Sequence, residues 1–245
     1  IEADDIQGVR AFGQAKAVET MAKAINKRLA AMKQSLEATR EFHRIGALQG
    51  VVSDPNGPPI LNLWSEFGVT ETEVPFDLTN GSSDIKGHCE LVVEHIEEVL
   101  GMTPYSRVVA VCGKTFYRKL VSHAKVTKAF ERKNESSFLR ELQVDGFEFG
   151  NIFWIPYRGG IGAKSFIQTD VARFAPLGVP KLFIEDYAPA NFVSTVNTFG
   201  KEFYAKSALD KWETGVDLHA QSNPLIMEPP HHVYTAWCAS QGPRR

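Results

Sequence analysis

Three cysteines in 245 residues, Cys89, Cys112 and Cys238, are odd in number and widely separated. That usage excludes a disulfide framework and a close-set zinc site, and implies reduced thiols in a cytoplasmic setting. No run of about eighteen apolar residues is present, and no charged start leads into an apolar stretch. The chain is therefore expected to be made and used without crossing a membrane. Neither sign of charge dominates: 27 Lys and Arg face 29 Asp and Glu, a formal net charge of -2. Such a balance advertises neither nucleic-acid nor membrane binding, so any contact of that kind would be local. Internal repeats and low-complexity tracts are absent as well. What is present is ordinary for a folded globular chain, 43% hydrophobic and 23% charged residues, and its length suits one large domain or two lobes.

The sequence begins at Ile1 and enters helical sequence within a few residues, so an upstream segment is expected to be trimmed or disordered. From about Val9 to Leu48, Val18, Ala22, Ile25, Leu29, Met32 and Leu36 recur at steps of four and three, the signature of one long amphipathic helix. It contains no proline, and Gly46 and Gly50 close it, with His43 and Arg44 in its last turns. Two alternatives attach to this helix. Its narrow seam fits a coiled-coil dimer acting as an adaptor, although the seam decays at Thr39 and His43 and the long mixed sequence after it needs a core of its own. Its excess of Lys16, Lys23, Lys27, Arg28, Lys33, Arg40 and Arg44 over Glu19, Glu37 and Glu41 is either a solvated face or a non-specific contact with packaged DNA.

Asp54-Pro55-Asn56-Gly57-Pro58-Pro59 reads as a loop, followed by two paired, half-exposed strands at Ile60–Trp64 and Val69–Phe76. Ser83 or Asp84 can cap a second helix carrying Cys89, Leu91, Val92, Ile96, Val99 and Leu100, which stops at Gly101. A buried strand at Arg107–Cys112 leads into a helix from Lys114 to about Ser122. Further strands are expected at Phe147–Ile155, Ser165–Asp170 and Leu182–Tyr187. Late strands at Phe203–Lys206, Gly215–Gln221 and Val233–Trp237 are expected to return to a sheet beneath the long helix. The class is α+β.

Motifs for chemistry fail on spacing. Gly113-Lys114-Thr115 follows a strand and opens a helix, as a phosphate-binding loop would, but the position that needs a glycine is Val108, inside the strand. Gly159-Gly160-Ile161-Gly162-Ala163-Lys164-Ser165 has glycines without the Gly-Lys pair, and reads as a hairpin or mobile loop. His88, Cys89 and His95, near Glu90, Glu94 and Glu98, are not at the i, i+4 placement that a helical zinc site needs, and His231-His232 beside Pro229-Pro230 stands alone. No Gly-x-Ser-x-Gly, no cysteine with a partner base and no spaced pair of carboxylates appears. Catalytic residues, metal ligands and cofactor sites are all expected to be none, and the protein is expected not to be an enzyme.

Asp5-Ile6-Gln7-Gly8-Val9-Arg10 running into the long helix, Phe183-Ile184-Glu185-Asp186-Tyr187-Ala188-Pro189-Ala190, Val196-Asn197-Thr198-Phe199-Gly200, Phe203-Tyr204-Ala205-Lys206, Gly215-Val216-Asp217-Leu218 and Gln221-Ser222-Asn223-Pro224-Leu225 follow in a fairly specific order. In that order they resemble the lambda-type major capsid protein E family of tailed phages, over nearly the whole chain. The resemblance implies the Hong Kong phage capsid fold, with a long spine helix over a β-sheet in a peripheral lobe and an inserted mixed axial lobe. The expected division is 1–84 for the peripheral lobe, 85–203 for the axial lobe, and 204–245 for return strands and tail. The projecting arm and extended loop that precede the spine in that family are expected to be missing from this sequence. The implied function is self-assembly into the icosahedral head of a tailed phage or prophage, in the bacterial host cytoplasm. The implied partners are identical subunits in pentamers and hexamers, scaffolding and portal proteins, and a decoration protein.

Overall fold

The computed structural model describes residues 1–7, 20–131, 146–162, 164–228 and 234–237. The expected helix is continuous as α1 (Met21–Leu48), about 42 Å long at 1.5 Å per residue; the expected turns from Val9 to Glu19, Val18 among them, lie outside the described residues. Ile25, Leu29, Met32 and Leu36 are half-buried and the residues between them exposed, as the four-three spacing requires. The last turn, Ile45 to Leu48, is fully buried. Gly50, at φ 76°, ends the helix in a conformation that side chains disfavour, and the Trp64 indole lies where its Cβ would be.

The loop at 54–59 joins β1 (Val51–Ser53) to β2 (Pro59–Asn62) in an antiparallel pair. Asn62 then caps the short α2 (Leu63–Phe67), its side chain accepting from the Ser65 amide. After β3 (Thr72–Pro75) comes α3 (Ile85–Leu100), whose Ile85, Cys89, Val92, Ile96 and Leu100 form one buried stripe. Next are β4 (Arg107–Cys112), α4 (Lys114–Val121), α5 (Ala124–Glu131), β5 (Phe147–Phe149) and β6 (Ile152–Pro156). Two short strands, β7 (Gly160–Ile161) and β8 (Lys164–Ser165), precede β9 (Val171–Leu177) and β10 (Ile184–Tyr187). The chain closes with β11 (Tyr204–Leu209), β12 (Val216–Gln221), β13 (Pro224–Met227) and β14 (Tyr234–Trp237).

Three expectations are corrected. The strands around Ile60 and Val69 do not pair with each other: β2 pairs with β1, residues 63–67 turn helical, and β3 runs parallel to β14. The expected strand at Ser165–Asp170 shrinks to two residues, and the strand that matters follows it as β9. The late strands do not share one sheet. β11 and β12 form their own antiparallel ribbon, whereas β14 enters a six-stranded mixed sheet in the order β3-β14-β9-β4-β6-β5.

The chain divides into two compact units, 1–41 with 184–226 and 42–183 with 227–245. These borders differ from 84/85 and 203/204 for packing reasons. Val74, Phe76 and Leu78 belong to the core of the six-stranded sheet, and Ile45 and Leu48 pack with Ile167 and Ala175. Residues 184–203, in turn, are tied to α1 and to β12. In the first unit Ile1 to Ala3 hydrogen-bond along the start of β12, through Val216 and Thr214. In the second, Phe76, Phe116, Trp154 and Phe174 meet at centroid distances of 5.4 to 6.1 Å. Aromatic contacts of this kind add about 0.5 to 1.5 kcal/mol each beyond their area.

Candidate functional site

Strand β4 delivers Gly113-Lys114-Thr115 to the start of α4, as the sequence predicts, but the phosphate-loop geometry is absent. The amides of Thr115 and Phe116, which would have to face an anion, both donate to the carbonyl of Thr169, at 2.8 and 2.9 Å. Gly113 is small for a different reason: a Cβ there would lie 2.0 Å from the Gln168 carbonyl oxygen. The second glycine motif is the β7–β8 hairpin, turning at Gly162 with φ 59°.

The fold brings these two motifs to one place. A cleft of about 840 Å³ is lined by Lys114, Tyr117, Arg118 and Val121 of α4, by Pro156 to Gly160, and by the far side of the hairpin. Lys114, Arg118 and Arg158 are exposed there, and among the described residues no carboxylate lines it. The two glycine motifs were legible in the sequence, whereas Tyr117, Arg118 and Arg158 were not singled out there, because the convergence depends on β4 and β6 lying side by side in parallel.

The histidine and cysteine cluster on α3 disperses. Cys89 is buried, and burial pushes its thiol up to about 12, so it stays protonated. Cys112, wholly buried, is likewise pushed up by burial. His95 is exposed and lies 3.7 Å from Glu98. Among the described residues no group of three or more His, Cys, Asp or Glu is placed to hold a metal ion. His231, His232 and Cys238 lie outside the described residues. No described helix is long and apolar enough to cross a membrane.

The short motifs of the late sequence acquire definite physical jobs in the first unit. Arg40 of α1 donates from Nε to Glu185 and from Nη1 to Glu202, and its guanidinium lies 5.5 Å from the Tyr187 ring centroid. Tyr187 donates to the same Glu185 oxygen at 2.6 Å, and burial together with that carboxylate pushes its phenol up to about 12. Arg40 itself is raised, chiefly by its hydrogen bond to Glu185. Gly200 approaches so closely that a Cβ would sit 1.7 Å from the Tyr187 carbonyl oxygen. Gln221 accepts from the Asn191 amide and donates to Asn223, and Asn223 donates to the Pro189 carbonyl at 2.9 Å. Phe-Ile-Glu-Asp-Tyr, the glycine and Gln-Ser-Asn are thus fasteners between α1, the loop after β10 and the ribbon.

The same unit exposes large apolar groups. Val193 is 93% exposed, Phe199 96% and Trp212, at the tip of the β11–β12 ribbon, 77%, with Val196 and Leu209 also outside. Apolar side chains of this size left in water are candidates for burial against other proteins.

The model of the family described as phage major capsid protein E matches residues 1–232. A major capsid protein of Pseudomonas phage KPP10 is 32% identical over 241 residues, covering 89% of this chain and 68% of the relative. A major capsid protein of Salmonella phage Felix O1 is 26% identical over 259 residues, covering 92% and 70%. In fold, the chain is similar to a crystal structure assigned as the capsid protein of a prophage in E. coli CFT073. The TM-score is 0.51 at 14% identity, over 96% of this chain and 75% of that one. These matches give the coiled-coil adaptor no support. The chain belongs to the phage major capsid protein E family.

Proposed function

We propose that this chain tiles an icosahedral head as pentamers and hexamers, with α1 as the spine helix of the subunit. As a phage or prophage major capsid protein it is a structural component of the virion, and proteins of this kind build the shell from identical copies. The unit of 1–41 and 184–226 then serves as the peripheral lobe, and that of 42–183 and 227–245 as the axial lobe. The observation that carries this reading is the first unit itself. Segments 145 and 162 positions apart in sequence are fastened as Arg40 holds Glu185 and Glu202, while the residues left outside, Val193, Phe199 and Trp212, are those that neighbours could bury. Closed shells need heterologous contacts, in which two different patches of each copy meet. Scaffolding, portal and decoration proteins are the further partners, and assembly takes place in the host cytoplasm. Exposed Lys23, Lys27 and Arg28 offer packaged DNA a non-specific contact. No cofactor enters the function.

Expression of the full-length protein with its neighbouring phage genes, followed by electron microscopy, tests this. Closed particles of uniform diameter are expected. Folded monomers or dimers that never close into shells would overturn it.

A further inference from the structure

We propose that the basic cleft between α4 and the glycine hairpin receives the acidic face of α3 from a second copy of this chain. The inference rests on the shell-subunit reading and names one of its contacts.

Two features of the cleft select its occupant. The amides at the start of α4 are committed to Thr169, so a small free anion finds no backbone cradle. What remains is an apolar lining from Tyr117, Val121 and Pro156, edged by Lys114 and Arg118. Such a cleft suits a protein surface with an apolar centre and carboxylates around it. Lys114 and Arg118 are four residues apart on one helix, which sets their Cβ atoms about 5 to 6 Å apart on one face.

Helix α3 presents the complement. Glu90 and Glu94 have the same four-residue spacing, and Leu91 between them is 46% exposed. Glu97 and Glu98 extend the negative face toward the carboxyl end of the helix. Among the described residues Glu90 has one competing partner, Lys86 at 3.2 Å, but that pair is exposed on both sides. Exposed pairs of this type contribute at most about 1 kcal/mol and exchange readily. Cleft and acidic face belong to the same unit and are separate patches, so each copy can give and receive, as a head-to-tail ring requires. Charge complementarity across the contact would favour the copy that offers α3 over less acidic surfaces.

The test uses the full-length chain co-expressed with its neighbouring phage genes, and reads the assembled fraction by sedimentation and electron microscopy. Circular dichroism serves as the folding control. Lys114→Glu with Arg118→Glu should cut the assembled fraction at least tenfold, and so should Glu90→Lys with Glu94→Lys. The four substitutions together should recover most of it. Folded half-swapped variants that assemble like the parent would overturn the contact while leaving the shell reading intact. So would a folded fourfold variant that fails to recover. If a charge-swapped chain does not fold, the chain carrying Glu94→Cys and Arg118→Cys decides. Assembled, oxidised particles should then give disulfide-linked ladders up to five and six subunits on a non-reducing gel, and monomers alone would overturn the contact. A parent chain that never assembles would overturn both the shell reading and this contact.

Discussion

A carboxyl group without a partner is among the costliest things a fold can bury. Glu228 is fully buried, and neither of its oxygens has a hydrogen-bond partner among the described residues. Burial pushes its ionisation well above the ordinary 4.5, so the folded chain holds the proton where the unfolded chain releases it. The sign of the linkage follows. Below pH 4.5 both states are protonated and Glu228 contributes no slope; above it the unfolded state binds fewer protons, and stability falls as pH rises until the raised folded value is reached. Glu228→Gln should remove that fall. Urea midpoints of parent and variant across pH 4 to 8, compared pairwise, check it; parallel curves would refute it. Gly200 makes a second prediction at this scale. Because the clash is with backbone, at 1.7 Å from the Tyr187 carbonyl oxygen, nothing flexible can yield. Gly200→Ala should cost on the order of 3 kcal/mol, read as a lowered unfolding midpoint.

Among the elements, the long helix, the α3 stripe and β4 were legible because periodicity and unbroken apolar runs report burial directly. β9 was not, although Val171 to Pro176 are all buried and it lies in the interior of the six-stranded sheet. Two residues hid it. Arg173 puts a charge in the middle of the strand and is answered by Glu71, about a hundred positions away. Pro176, which has no amide to donate to a ladder, argues against an interior strand, yet it takes its place in β9 opposite Val108 of β4. The late motifs were readable as an ordered resemblance, but their work as fasteners was not, since Arg40 meets Glu185 only in three dimensions. That fastening gives the prediction at this scale. Arg40→Ala should lower stability by about 1 to 2 kcal/mol, toward the lower end of charge-assisted hydrogen bonds because Glu202 is largely exposed. Arg40→Lys should not restore it, since an ammonium cannot span two carboxylates while lying over the Tyr187 ring. Thermal melts of the three chains decide; full rescue by lysine would mean that charge alone matters.

For the whole molecule, folding and assembly should be separable by where a side chain is spent. Phe199 and Trp212 are 96% and 77% exposed in the single chain, so their replacement removes little from its stability. In a shell, an aromatic side chain of this size can bury about 150 to 250 Å², and at roughly 25 cal/mol per Å² that amounts to several kcal/mol per residue. The contact recurs in every subunit of a closed particle, which amplifies the loss. Phe199→Ser and Trp212→Ser should therefore leave the melting temperature of the unassembled protein within about 2 °C of the parent, in line with the small effects of surface substitutions. The same changes should raise the subunit concentration needed for shells at least tenfold. Light scattering against concentration, with a melt of the unassembled protein alongside, measures both. Shells forming at the parental concentration would show that these aromatics face solvent in the particle as well, and that the apolar contacts between subunits lie elsewhere on the chain.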